Sequence, residues 1–281
     1  MAIGALVNRM KTGLHPTLAE GENISPELLS EIESLAMDVG EEIMRYFRAP
    51  IEVTHKADGS PVTEADHIAE EIVLDALRQI TPGIPIIAEE AYTLAAAEDK
   101  ATTDISSGQF WLVDALDGTV EFLKHREDFT VNIALINHLE PALGVIYHPV
   151  SGTLYSGSSV GTAIRMKPDG KRMELVAPLA DASLRIVSSQ SYGNEIQLAK
   201  YLSGRQILEH RHRASSIKFC EVAEGRADLY PRFGPSREWD TAAGHAIVHA
   251  AGGNVTTSTG QPLLYGKSGF VNSDFVARGR R

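Results

Sequence analysis

Two acids close a run of core-type residues in Gln109-Phe-Trp-Leu-Val-Asp114-Ala-Leu-Asp117-Gly-Thr119. The run up to Val113 reads as a short buried strand; Gly118 lets the chain turn and Thr119 adds a hydroxyl. A second apolar run, Ile84-Pro-Ile-Ile-Ala88, ends on Glu89-Glu90, and Asp240 stands at the start of a helical pattern in Trp239-Asp-Thr-Ala-Ala-Gly244. Carboxylates gathered at strand ends and a helix start repel one another unless a cation lies between them. A fold that brings these segments together is therefore a fold around a divalent metal.

The remaining composition narrows the setting. A chain of 281 residues, 43% hydrophobic and 22% charged, suits one large domain or two tightly joined halves. A net charge of -11 argues against nucleic acid or an anionic membrane as main partner, although bound metal would offset it locally for a phosphate. No apolar run reaches the roughly 20 residues of a bilayer span. The N-terminus lacks the basic and long apolar regions of a signal peptide, which sets the expectation at the cytoplasm, free or peripheral to the inner membrane. The single cysteine, Cys220, reads as a small buried hydrophobe. The ending Arg278-Gly-Arg-Arg281 reads as a solvated, disordered basic tail.

Residues 1–24 show no period and read as a loose arm; 25–281 read as one unit. Ser25-Pro26 opens a helix whose apolar residues recur from Leu28 to Phe47. Thr63 caps a second, with Asp66 three residues on and an apolar face from Ile68 to Ile80. Between them lie a candidate strand, Ile51–Val53, and turn residues 56–61. Residues 84–156 look β-rich, with alternation in Phe129–Leu135 and Leu143–Tyr147, and 93–108 looks like a flap. An α+β half (25–156) is thus expected to pack without a linker on an α/β half (183–275) of strands at 184–187 and 227–230 and helices near 193–203, 215–225 and 241–251.

Glu89, Asp114, Asp117 and Asp240 are hard oxygen ligands suited to Mg²⁺ or Mn²⁺. Two such ions about 4 Å apart can hold an attacking water and a leaving oxygen. Gly118 and Thr119 start a helix-like segment whose amides suit a phosphate, and the Thr119 hydroxyl, partnered by Asp66, can orient the water. Each piece has a plainer use: Asp117-Gly118 as a turn, Glu89-Glu90 as a solvated strand end, Asp240 as an N-cap, Thr63 and Asp66 as a cap with a first-turn acid.

Read together and in order, these motifs resemble the inositol monophosphatase family. The carriers are Trp111-Leu-Val-Asp114-Ala-Leu-Asp117-Gly-Thr119, Trp239-Asp-Thr-Ala-Ala-Gly244, the Glu89-Glu90 pair and Thr63-Glu-Ala-Asp66, over residues 27 to 275. The resemblance implies a layered αβαβα sandwich of the fructose-1,6-bisphosphatase type. It also implies a lithium-sensitive, magnesium-dependent phosphatase with two or three ions, or Mn²⁺ in their place. Glu89, Asp114, Asp117, Asp240 and the Leu116 carbonyl would be metal ligands; Asp66, Thr119 and Glu89 would be catalytic. Ala115 stands where the family usually has proline.

Three segments resemble the family's bisphosphate nucleotidase branch of sulfur metabolism: Thr119-Val-Glu-Phe122, Lys56–Thr63, and Ser215-Ser-Ile-Lys218-Phe followed by Leu229–Pro235. Ser215, Ser216 and Lys218, at a helix start, would hold a second phosphate, with Gly118, Thr119 and Asp240 lining the rest of the substrate site. Lys218 on a solvated helix face is the plainer reading. Ala214 replaces the branch's glycine, and Val120 its frequent lysine. The partner expected is a small phosphorylated molecule, above all a bisphosphorylated nucleotide, and the chain a monomer or homodimer. Inositol or sugar phosphate hydrolysis is the alternative; a regulatory metal-binding protein without turnover is the remoter one.

Overall fold

Two helices open the described chain because sequence signals place their ends and one face of each is apolar. The computed structural model describes residues 24–49, 53–56, 59–95, 104–179, 182–189 and 193–280. The expected arm up to residue 23, the strand start at 51–52 and the middle half of the expected flap (96–103) lie outside these residues. In α1 (Pro26–Phe47) the Ser25 hydroxyl accepts from Leu28 N at 3.1 Å and proline fills the first turn. The strands β1 (Val53–His55) and β2 (Pro61–Thr63) pair antiparallel and lead into α2 (Glu64–Ile80). A reciprocal cap opens α2: Thr63 N donates to Asp66 Oδ2 at 2.7 Å and Thr63 Oγ1 accepts from Ala65 N at 3.2 Å.

The first sheet has seven strands in chain order: β3 (Ile86–Ala88), β4 (Gln109–Asp117), β5 (Thr130–Asn137), β6 (Glu140–His148), β7 (Thr153–Ser158), β8 (Ala163–Met166) and β9 (Arg172–Leu175). β3 runs parallel to β4; every later neighbour is antiparallel. The second sheet is mixed, in the order β11 (Gln206–Arg213), β10 (Ser183–Ser189), β12 (Leu229–Arg232), β14 (Phe275–Arg278), β13 (Asn254–Thr257).

Two core clusters define the layers. Val113, Val131, Leu135 and Val145 pack against Ile32, Val39 and Val73 of α1 and α2. Leu112, Ala134, Ile136 and Ile146, on the opposite face, join α6 (Ile217–Ala223), α7 (Ala242–Ala250) and the inner face of the second sheet in one cluster. Beyond that sheet, Tyr201 and Leu202 of α5 (Glu195–Leu202) cover Ile186, Leu229 and Val276. The order is the expected αβαβα. The alternation seen in β5 and β6 therefore does not separate a wet face from a dry one, because helices cover both sides and nearly every residue is buried.

The middle helices approach closely where glycine allows it. A Cβ on Gly144 would lie 2.4 Å from Ala243 O, and one on Gly244 2.3 Å from the Phe219 ring. The basic ending is not a loose tail: Arg278 pairs with Leu229 and Asn254 inside the second sheet, and Arg280 Nε donates to Ala177 O at 2.7 Å. Strand pairing outweighs the solvation its charges favour. Among the described residues no helix is long and apolar enough to cross a membrane.

Candidate active site

The acids converge because β3 and β4 lie side by side with Ala88 opposite Val113, so both strands deliver their last residues to one edge. Past Ala88 the chain enters α3 (Glu89–Leu94). Glu70 of α2 holds its start, accepting from Glu90 N at 2.8 Å and Ala91 N at 2.7 Å. β4 carries a register shift between Asp114 and Asp117, a bulge that turns successive carboxylates toward the same side. Gly118 then adopts φ 104, and a Cβ there would stand 2.8 Å from Asp128 O, so only glycine makes this turn into α4 (Thr119–Leu123). Asp240 lies before α7. Its Oδ2 accepts from Arg237 N at 2.8 Å, while Thr241 occupies the helix's N-cap position, so Asp240 is not the cap.

Glu89, Asp114 and Asp240 bring ligand oxygens within 4.8 Å of one another. Burial, then Glu89, Asp117 and Asp240, push Asp114 well above the usual carboxylate range. Burial, then Asp117 and Glu89, raise Asp240 to about 8. This is the signature of charges gathered for a cation, and the all-oxygen donor set fits a hard divalent ion. Asp117 lines the same cavity, and its Oδ2 accepts from Ser216 N at 2.6 Å and Asn132 Nδ2 at 3.2 Å. Burial raises the Asp117 carboxyl, against the pull of Lys218 and these two donors. The Leu116 carbonyl lies 3.3 Å from Thr119 Oγ1, and Leu116 also lines the cavity.

Thr119 Oγ1 donates to Asp66 Oδ1 at 2.8 Å, so the cap reading of Asp66 and its partnership with Thr119 are both correct: one carboxylate oxygen serves each. Burial raises the Asp66 carboxyl against the hydrogen bonds from Thr63 and Thr119.

The far wall departs from expectation. Ser216 does not face a substrate. Its N–H goes to Asp117, and its hydroxyl lies 2.6 Å from Asn132 Oδ1 and 2.8 Å from Thr130 Oγ1. The start of α6 is aimed at a carboxylate of the protein itself, a pairing across 99 positions that no local motif signals. Ser215 sits at φ 50 beside the cavity. Lys218 is buried, not solvated; burial lowers it to about 8 against the pull of Asp117, and its ammonium donates to Ser215 O and lies 5.2 Å from the Tyr230 ring.

Sequence reasoning assigned no role to Lys56, Arg213 and Arg232, which line the same cavity. Lys56 Nζ lies 2.6 Å from both Glu89 Oε1 and Glu90 Oε1; burial would lower it, but the two acids outweigh that and raise it. Its signal was the Lys56–Thr63 segment, read as turn residues and as a mark of the nucleotidase branch, with no role given to the lysine itself. Arg213 is held by Asp128 at 3.1 Å, and Arg232 donates to Pro235 O at 2.6 Å. A cavity of about 640 Å³ joins this cationic wall to the carboxylate floor.

Fold and site together define a five-layer α+β protein with an acidic cluster at the strand ends that could hold a metal ion, facing a cationic wall. The chain belongs to the inositol monophosphatase family, whose model matches residues 26–279. It is 42% identical to the 3'(2'),5'-bisphosphate nucleotidase CysQ of Escherichia coli strain K12 over 255 residues, 88% of this chain and 98% of that protein. It is 42% identical to the enzyme of the same name from Buchnera aphidicola over 261 residues, 91% and 95% of the two. The crystal structure of CysQ from Bacteroides thetaiotaomicron superposes with a TM-score of 0.73 at 35% identity, covering 90% of this chain and 96% of that one.

Proposed function

We propose that the chain is a divalent-metal-dependent 3'(2'),5'-bisphosphate nucleotidase that releases phosphate from adenosine 3',5'-bisphosphate to leave AMP. One observation carries the reading: a carboxylate floor and a wall with a buried lysine face each other across one cavity. A monophosphate needs only the floor; a second phosphate gives the wall its purpose. The similarity to the CysQ enzymes supports the same substrate class.

Glu89, Asp114, Asp117, Asp240 and the Leu116 carbonyl would hold two or three Mg²⁺ ions, with Mn²⁺ as a substitute. Such ions would neutralise the phosphate oxygens and acidify a water. The rest falls to the chain. A hydroxyl that donates to Asp66 turns its lone pairs away from that acid, so Thr119 Oγ accepts the proton of the attacking water and hands its own to Asp66. Burial raises the Asp66 carboxyl, which makes it a readier acceptor. The Gly118-Thr119 turn places backbone amides beside the phosphate. The water oxygen bonds to phosphorus as the ester P–O bond breaks, the leaving 3'-oxygen takes a proton from solvent, phosphate and AMP are released, and Asp66 returns its proton to solvent. Lys218 and Ser215, with Arg213 and Arg232, fix the remaining phosphate.

The test is a panel of adenosine 3',5'-bisphosphate, its 5'-phosphosulfate analogue, inositol 1-phosphate and fructose 1,6-bisphosphate, each with Mg²⁺ and then with added Li⁺. Fastest turnover of the nucleotides, inhibited by Li⁺, is expected. Inositol 1-phosphate turning over faster would overturn the reading, and no phosphate release at all would favour a regulatory metal-binding protein.

A further inference from the structure

Asp240 can act as a ligand only if the loop before α7 holds its carboxylate still, and that loop has no helix of its own among residues 235–241. Among its internal bonds, the one that reaches the carboxylate runs from Arg237 N to Asp240 Oδ2, 2.8 Å. A peptide N–H can aim a carboxylate only if the peptide is itself fixed. The far side of that loop meets Asn272, a residue in none of the motifs above.

The Asn272 side chain is buried, and its Nδ2 faces three oxygens of the loop: Arg237 O at 2.6 Å, Thr241 Oγ1 at 3.0 Å and Ser236 Oγ at 3.3 Å. Its backbone N adds a bond to Ser236 O at 3.0 Å. One amide group thus ties together the residues before and after Asp240, and it clasps the carbonyl of the residue whose N–H holds the Asp240 carboxylate. The orientation of the amide is fixed, because Arg237 O only accepts and must face the NH₂ side. The cost shows on the other side: Asn272 Oδ1 is buried with no hydrogen-bond partner. A buried acceptor left unpaired is unfavourable.

We infer that Asn272 is a positioning residue for metal binding: it sets the geometry of Asp240 by fixing Arg237 from both sides, its side chain on the Arg237 carbonyl and its backbone N on the Ser236 carbonyl, without touching the ion. The inference rests on the reading of Asp240 as a metal ligand. Groups one step removed from a metal typically change its affinity by about 10–100-fold when removed.

The test measures metal directly. Metal-stripped wild type, Asn272→Ala, Asn272→Asp and Asp240→Asn are titrated with Mn²⁺, free Mn²⁺ is followed by electron paramagnetic resonance, and circular dichroism reports the folded fraction. Asn272→Asp keeps the shape of the side chain and removes its donor at neutral pH, so it decides the matter if the alanine variant fails to fold. The expected result is Mn²⁺ affinity lowered on the order of tenfold or more in folded Asn272 variants, a shift in the same sense as for Asp240→Asn. A purely structural role would lower the melting temperature and leave Mn²⁺ affinity of the folded protein at the wild-type value, which overturns the inference. Wild type and Asp240→Asn binding Mn²⁺ alike would overturn the ligand reading beneath it, a distinct outcome.

Discussion

The Thr119 hydroxyl donates to Asp66 across 53 positions, at 2.8 Å, and so ties the turn after β4 to the first turn of α2. The bond fixes which way the hydroxyl's lone pairs face. Thr119→Ala is expected to lower kcat by roughly 10²-fold or more with little change in KM, since the group acts on the water in the transition state. Steady-state kinetics checks this; a pure KM effect would make Thr119 a substrate-positioning residue.

Asp117→Asn keeps an oxygen to accept from Ser216 N but removes the charge. Turnover is expected to fall by orders of magnitude at low Mg²⁺ while the metal-free protein gains or keeps stability, because one repulsive carboxylate has gone. Rates across a Mg²⁺ series and melting of the stripped protein read the two effects separately.

Metal-free protein is expected to lose stability as pH rises. The Asp240 carboxyl stands at about 8 when folded, against roughly 3.9 unfolded. The folded state therefore binds more protons between these values. The stability linked to that group is fully present below the unfolded value and is lost as pH climbs through 8. Added Mg²⁺ is expected to raise the melting temperature more at pH 8 than at pH 5.5; thermal melts with chelator and with Mg²⁺ at both pH values check it.

Lys218→Met fills the same space beside Tyr230 without the charge. A charge-assisted contact contributes roughly 1.5–3 kcal/mol, or about tenfold to a hundredfold in affinity. The loss is expected for adenosine 3',5'-bisphosphate and not for inositol 1-phosphate. Equal losses in kcat/KM on both would assign Lys218 a general electrostatic role.

Gly118→Ala places a methyl 2.8 Å from Asp128 O at a φ of 104. It is expected to cost about 1–3 kcal/mol in urea unfolding and to impair turnover, since the strained turn carries Thr119.

Helix starts and apolar stripes were legible because their physics is local: Ser25, Pro26 and Thr63 act on residues two or three positions away. The convergence of Glu89, Asp114 and Asp240 was legible because carboxylates ending apolar runs conflict with burial. What escaped depends on distant pairing. Nothing near Ser216 shows that its N–H meets Asp117, nor does anything near Lys56 show that Glu89 and Glu90 wait for it. Arg280 looked solvated because its acceptor, Ala177 O, comes from a segment a hundred positions earlier.

The single hydrogen bond from Ser216 to Asp117 joins the loop beside the cationic wall to a carboxylate of the acidic floor. Thermodynamic linkage follows from it. A ligand that shifts residues 214–216 changes the energy of Asp117, and an ion drawing on Asp117 changes the loop in return, by an equal factor. With Asp117 as a ligand, cation and substrate affinities are expected to be linked, and a constant measured for one would hold only at the stated concentration of the other.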